Sequence, residues 1–106
     1  MLVFSSDGKV VGKIVDDTLE KTVSSKKHML RNPPSWGYDV DIIDKAMKAG
    51  VKFLKIHDVE TGNVYTTSME KFRTYSFKQN RGYGPQSFLP ISRWDVSAPK
   101  EQLQMF

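Results

Sequence analysis

The stretch from Asp39 to Gly50 restricts the fold more than any other, because it carries its own start, stripe and stop. Val40, Ile43 and Met47 recur at helical spacing with Ala46 beside them, which predicts a helix with one apolar face. Asp39 stands where an N-cap belongs, and Asp41 adds negative charge to the first turn. Asp41–Lys45 and Asp44–Lys48 are i,i+4 pairs in the favourable order, and Gly50 occupies the position of a left-handed stop. Directly after that stop comes Val51-Lys52-Phe53-Leu54-Lys55-Ile56-His57, apolar on both faces and therefore an interior strand. A helix feeding such a strand needs a sheet for both of them to lie on.

The remaining strands announce themselves through their turns. Leu2–Phe4 and Lys9–Val15 flank Ser5-Ser6-Asp7-Gly8, whose Asp-Gly pair suits a hairpin. Leu19–Val23 alternates as a strand, a run that also fits a short helical turn. Residues 24–35 are irregular, ending in Asn32-Pro33-Pro34-Ser35, where paired prolines forbid helix. Glu60-Thr61-Gly62-Asn63 turns the interior strand into Val64-Tyr65-Thr66. Thr67 and Glu70 have the spacing of a capping box, opening a short helix that turns Met69, Phe72 and either Tyr75 or Ser76 inward. Asn80-Arg81-Gly82-Tyr83-Gly84-Pro85-Gln86 reads as a turn, followed by a last strand, Ser87–Ile91, which Pro90 assigns to a sheet edge. The expected order is β-β-(β)-α-β-β-α-β. That is an α+β fold, a small antiparallel or mixed sheet of five to six strands with two helices on one face. Residues 1–95 form the expected single domain, with 96–106 as a loose C-terminal tail.

Composition bounds the function. A hydrophobic share of 39% and a charged share of 26% are globular values. There is no cysteine, so neither disulfides nor thiolate zinc sites enter, which suits a reducing, cytoplasmic setting. The start of the chain lacks the apolar core of a signal peptide, and no apolar run approaches the ~20 residues of a membrane helix. No membrane association is expected.

Catalytic readings fail for nameable reasons. His28 and His57 are far apart, and His57 and Asp58 point to opposite faces of a strand. A metal-dependent nuclease motif using Asp58 and Glu60 would place lysine where Gly62 stands, so both acids are expected to be solvated hairpin-end residues. Gly82 and Gly84 lack the third glycine of a dinucleotide loop and follow a helix instead of a strand. No elbow serine is present. The expectation is a non-enzymatic domain with no cofactor and no metal.

The spacing of acids is more informative. From Lys21 to Tyr38 there is no Asp or Glu, but there are Lys21, Lys26, Lys27 and Arg31. From Lys71 to Trp94 there is again none, but there are Lys71, Arg73, Lys78, Arg81 and Arg93. These stretches carry +4 and +5 in a chain whose net charge is +4, so the remainder is acidic. They also hold Trp36, Tyr38, Phe72, Tyr75, Phe77, Tyr83, Phe88 and Trp94, of which Phe72, Phe77, Phe88 and Trp94 are the expected core fillers. Basic side chains neutralise phosphates and uncovered rings stack on bases. The sequence therefore points to DNA or RNA binding through Lys26, Lys27, Arg31, Arg73, Lys78, Arg81 and Tyr83. The competing reading is a protein-interaction or self-association module that uses Met29, Leu30 and Trp36 around the Pro-Pro-Ser-Trp loop, or the Ser87–Ile91 edge.

Overall fold

The computed structural model describes residues 1–5, 7–24, 33–80 and 84–98. Among the described residues nine strands and two helices follow one another: β1 (Leu2–Phe4), β2 (Val10–Val15), β3 (Thr18–Val23), β4 (Ser35–Asp39), α1 (Val40–Lys48), β5 (Phe53–Asp58), β6 (Val64–Ser68), α2 (Met69–Tyr75), β7 (Phe77–Asn80), β8 (Pro85–Pro90) and β9 (Asp95–Ser97), with a 3₁₀ turn over Ile91–Arg93. The fold is α+β, as its alternating hairpin and helix signals require. A large mixed sheet has the order β1-β2-β3-β5-β6-β9, and a small sheet has the order β4-β8-β7. In the large sheet only the β3–β5 pair is parallel; β4 and α1 form the crossover between them.

Local chemistry sets the turns. Gly8, at φ +85°, closes the first hairpin, while the Asp7 carboxylate accepts from the Lys9 N–H at 3.2 Å and from the Ser5 hydroxyl. Asp16, at φ +56°, makes the two-residue turn that registers Val15 with Thr18. At the end of α1 the Val51 N–H reaches the Ala46 carbonyl and the Gly50 N–H that of Met47, with Gly50 at φ +83°. This Schellman closure is the stop the sequence promised.

The two sheets face each other across the core. Leu19, Leu54, Ile56 and Tyr65 come from the large sheet, Trp36, Tyr38 and Leu89 from the small one. Ile42, Ile43 and Ala46 of α1 and Met69 and Phe72 of α2 fill the flanks of the same cluster. The Trp36 ring meets Tyr65 edge-on at 5.3 Å, Phe72 sits between Tyr38 and Trp94, and the Trp94 indole N–H donates to the Leu89 carbonyl at 3.0 Å. Phe88 is equally enclosed but on the opposite face of the small sheet, packed on Phe77 at 5.8 Å. Burying each such ring contributes about 1.5–3 kcal/mol.

Several expectations need correction. The buried stripe of α1 is Ile42, Ile43 and Ala46, whereas Met47 is 36% exposed, because the helix leans on β4 and β8 with a face one residue round from the periodic reading. Asp39 makes no cap bond; as the last residue of β4 it stands opposite Gln86 and accepts from its side-chain amide at 2.7 Å. Ser68, not Thr67, caps α2 by accepting from the Lys71 N–H at 3.0 Å, since Thr67 faces the core. The last strand before Trp94 is no edge: β8 lies between β4 and β7, and Pro85 and Pro90 stand at its two ends, where a missing N–H costs least. β9 pairs with β6 through Val96 and Ser97, residues the sequence reading gave to the tail.

Candidate functional site

Two acid-free stretches, far apart along the chain, meet in the small sheet. The first supplies β4, and the second supplies β7 and β8. Around the β7 side of that sheet, α1, the end of α2 and β7 enclose a cleft of about 280 Å³. Arg73, in the last turn of α2, and Lys78, on β7 opposite Ser87, both line it, with Ser76 between them in sequence. Both cations are exposed, and neither makes a hydrogen bond or ion pair with a described residue. Asp44 of α1 is the one carboxylate on the cleft wall, and Met47 and Phe72 give its floor an apolar surface. Tyr75 does not line this cleft; it turns outward, 48% exposed instead of facing the core, and carries the Arg93 guanidinium 4.1 Å above its ring. A half-exposed ring, one face of it taken by Arg93, and two cations without a described partner thus share one end of α2.

Of the residues predicted from sequence, the structure brings together Arg73 and Lys78. Lys26, Lys27, His28, Met29, Leu30, Arg31, Arg81, Gly82 and Tyr83 lie outside the described residues. Lys21 does not join the surface: its ammonium donates to the Gly37 carbonyl and sits 4.0 Å over the Tyr38 ring, between the two sheets. Trp36 is fully enclosed, so it works in the core and not at a partner's surface, and the central position of β8 removes the edge strand proposed beside it. Asp58 is also corrected. It is 2% exposed, and its carboxylate accepts from the Glu60 N–H and the Thr61 hydroxyl, each at 2.9 Å, so it organises the β5–β6 turn from inside.

Sequence reasoning missed a second polar cluster on the outer face of the large sheet. There Glu20 and His57 lie 3.0 Å apart beside a cavity of about 540 Å³ that Leu2, Lys13 and Thr22 also line. The hydrogen bond from His57, helped by Lys55 and Lys13, holds the Glu20 carboxyl below its ordinary value of 4.5. Only the parallel register of β3 with β5, which sets Thr22 against His57, joins residues 37 positions apart, and no local pattern signals it. Tyr38 is shifted the other way: burial raises its phenol, whose hydroxyl has no partner among the described residues.

Among the described residues no group of three or more His, Cys, Asp or Glu side chains is placed to hold a metal ion, and no helix is long and apolar enough to cross a membrane. No family model matches the chain, and no curated protein matches it. Among solved structures it is similar to a nuclease from a fusselovirus, at 11% identity over 87% of this chain and 60% of that one, with a TM-score of 0.49. The chain therefore spans 60% of that nuclease's length.

Proposed function

We propose that this domain works by binding nucleic acid, not by catalysis, with the Arg73–Lys78 cleft as the described part of its contact surface. One observation carries the reading: two cations from different elements converge on a single cleft and have no described carboxylate partner, beside an exposed tyrosine. Unengaged cations on a rigid helix end and strand are positioned to neutralise phosphates, and a half-exposed ring next to an arginine can stack on a base. Lys26, Lys27, Arg31, Arg81 and Tyr83 belong to the same acid-free stretches and extend the surface in this reading.

The test is fluorescence anisotropy with labelled single- and double-stranded DNA and RNA between about 50 mM and 200 mM salt. Binding should weaken linearly on logarithmic axes as salt rises. The Arg73→Ala/Lys78→Ala double substitution should flatten that slope by about 1.8 on duplex or 1.4 on a single strand, the loss of two phosphate contacts. Absence of binding at the lowest salt, or a slope unmoved by the double substitution, overturns the assignment.

A further inference from the structure

The other described elements pack on one side of the large sheet. The core residues of both helices and the small sheet lie against Leu19, Leu54, Ile56 and Tyr65, while the alternate residues Phe53, Lys55 and His57 of β5, and Glu20 and Thr22 of β3, turn outward. Their registers draw the outer face as rows across the strands. One row runs Leu2, Lys13, Glu20, Lys55, Thr66, Asp95, and the next runs Val15, Thr18, Phe53, Ser68. Leu2 is 55% exposed, Val15 44% and Phe53 47%, an uncovered aromatic on a strand at the middle of the sheet.

We infer that this face is where two copies of the chain associate. Three features select a second copy as the occupant. The first is charge: in a chain of net charge +4, the charged row holds two lysines and two carboxylates, so like-charge repulsion between copies is least here. The second is symmetry. The sheet's midline falls between β3 and β5, and a two-fold axis running along the strands at that line sets β3 over β5 of the second copy. Glu20 then stands over Lys55 of the second copy, the reciprocal pair follows automatically, and Phe53 lies over Thr18 of the second copy. The third is area. Four strands of five or six residues and two of three, at about 4.8 Å between strands and 3.3 Å per residue, cover about 460 Å² per copy. About 900 Å² in all lies just under the roughly 1,000 Å² expected of a specific interface, so the dimer is a weak one.

Edge pairing, the other route by which sheets associate, is blunted at both ends. β1 and β9 have three residues each, and the β1–β2 pairing carries a bulge between Val3 and Phe4. Association goes through the face.

Sedimentation equilibrium on the full chain over a concentration series reaching about 0.5 mM reads this directly, since weak interfaces of this size dissociate in the micromolar range or above. The chain should move from monomer toward dimer and no further. Glu20→Lys and Lys55→Glu should each raise the dissociation constant about tenfold or more, and the double reversal should restore it to within about threefold. Phe53→Ser, at an exposed position that leaves the core intact, should abolish the dimer with the far-ultraviolet spectrum unchanged, and decides the matter if a charge reversal unfolds the chain. A monomer throughout the series, or a dimer indifferent to Phe53→Ser, overturns the inference. Arg73→Ala/Lys78→Ala lies on the other side of the molecule and should leave self-association untouched, so this result stands or falls apart from the nucleic-acid reading.

Discussion

Gly37 is the position where the fewest atoms decide the most about the small sheet. It sits in β4 directly opposite Phe88, and a Cβ placed on it would lie 2.3 and 2.5 Å from two ring carbons of Phe88 and 2.8 Å from the Ser87 carbonyl oxygen. Ordinary carbon–carbon contact is about 3.5–4.0 Å, so Gly37→Ala demands that the ring retreat by more than about 1 Å. The ring has little room, being 1% exposed and stacked on Phe77, and the carbonyl belongs to the backbone that carries the β4–β8 ladder. Overpacking of this kind costs about 1–3 kcal/mol, and the backbone contact puts Gly37→Ala at the upper end. The stiffer unfolded chain returns about 0.4–1 kcal/mol, which leaves a net loss of about 2 kcal/mol. Urea unfolding should show a lower midpoint at unchanged slope, and the melting temperature should fall by about 10 °C. Adding Phe88→Leu should recover part of the loss, giving a coupling of about 1 kcal/mol in the cycle. Because Phe88 supports Phe77, and Lys78 follows it on β7, the substitution should also weaken oligonucleotide binding. A Gly37→Ala protein within about 0.5 kcal/mol of the parent would refute the close approach of β4 to β8 described above.

Two further expectations test the polar details. Ser68→Ala should cost about 1 kcal/mol by uncapping α2, whereas Thr67→Val should be neutral or stabilising, because the Thr67 hydroxyl is buried without a partner among the described residues; chemical denaturation of both variants checks the order, and a costlier Thr67→Val would return the cap to Thr67. The depressed carboxyl of Glu20 contributes stability that is complete above pH 4.5 and is lost as the pH falls through its lower folded value. Its partner His57 is 43% exposed, so the contribution is no more than about 1 kcal/mol, and Glu20→Gln should flatten the acid limb of a melting-temperature profile by that amount.

What the sequence could reveal followed from whether its signals were local. The stop at Gly50, the turn glycines Gly8 and Gly62 and the period of α1 act within a few residues, and all appear in place. β4 and β7 were missed for the converse reason. Ser35–Asp39 and Phe77–Asn80 are short and owe their extended form to pairing with β8, so without a partner they have no pattern to read. The helix stripe slipped by a residue, Met47 giving way to Ile42, because periodicity gives a face only to within the width of the stripe and the neighbour chooses the rest. Asp58 looked solvated because carboxylates usually are; inside the turn its oxygens find an N–H and a hydroxyl, which offsets the cost of its burial. For the candidate site, the acid-free spacing led to Arg73 and Lys78, but it could not tell that Lys21 of the same pattern would be held between the sheets.

That spacing acquires a physical meaning once the sheets are known. Most acids of the described chain lie on the large sheet and its connections, Asp7, Asp16, Asp17, Glu20, Asp58, Glu60 and Asp95, with Asp41, Asp44 and Glu70 on the helices, while the small sheet carries Asp39 alone. The outward face of the large sheet is close to neutral, while Arg73 and Lys78 gather positive charge at the cleft between α1, the end of α2 and β7. A neutral face lets copies approach each other, and a basic one repels copies while attracting polyanions. If both proposals hold, a dimer joined through the large sheets would turn its two Arg73–Lys78 clefts away from the joint, each free to meet a phosphate backbone. Binding to one long strand would then be bivalent, and the second contact would form at the effective concentration set by the rigid spacing of the clefts. Phe53→Ser should accordingly weaken binding to a long oligonucleotide far more than to one that spans a single cleft, although it lies on the opposite side from both cations. Equal weakening on long and short strands would mean that the two surfaces act independently.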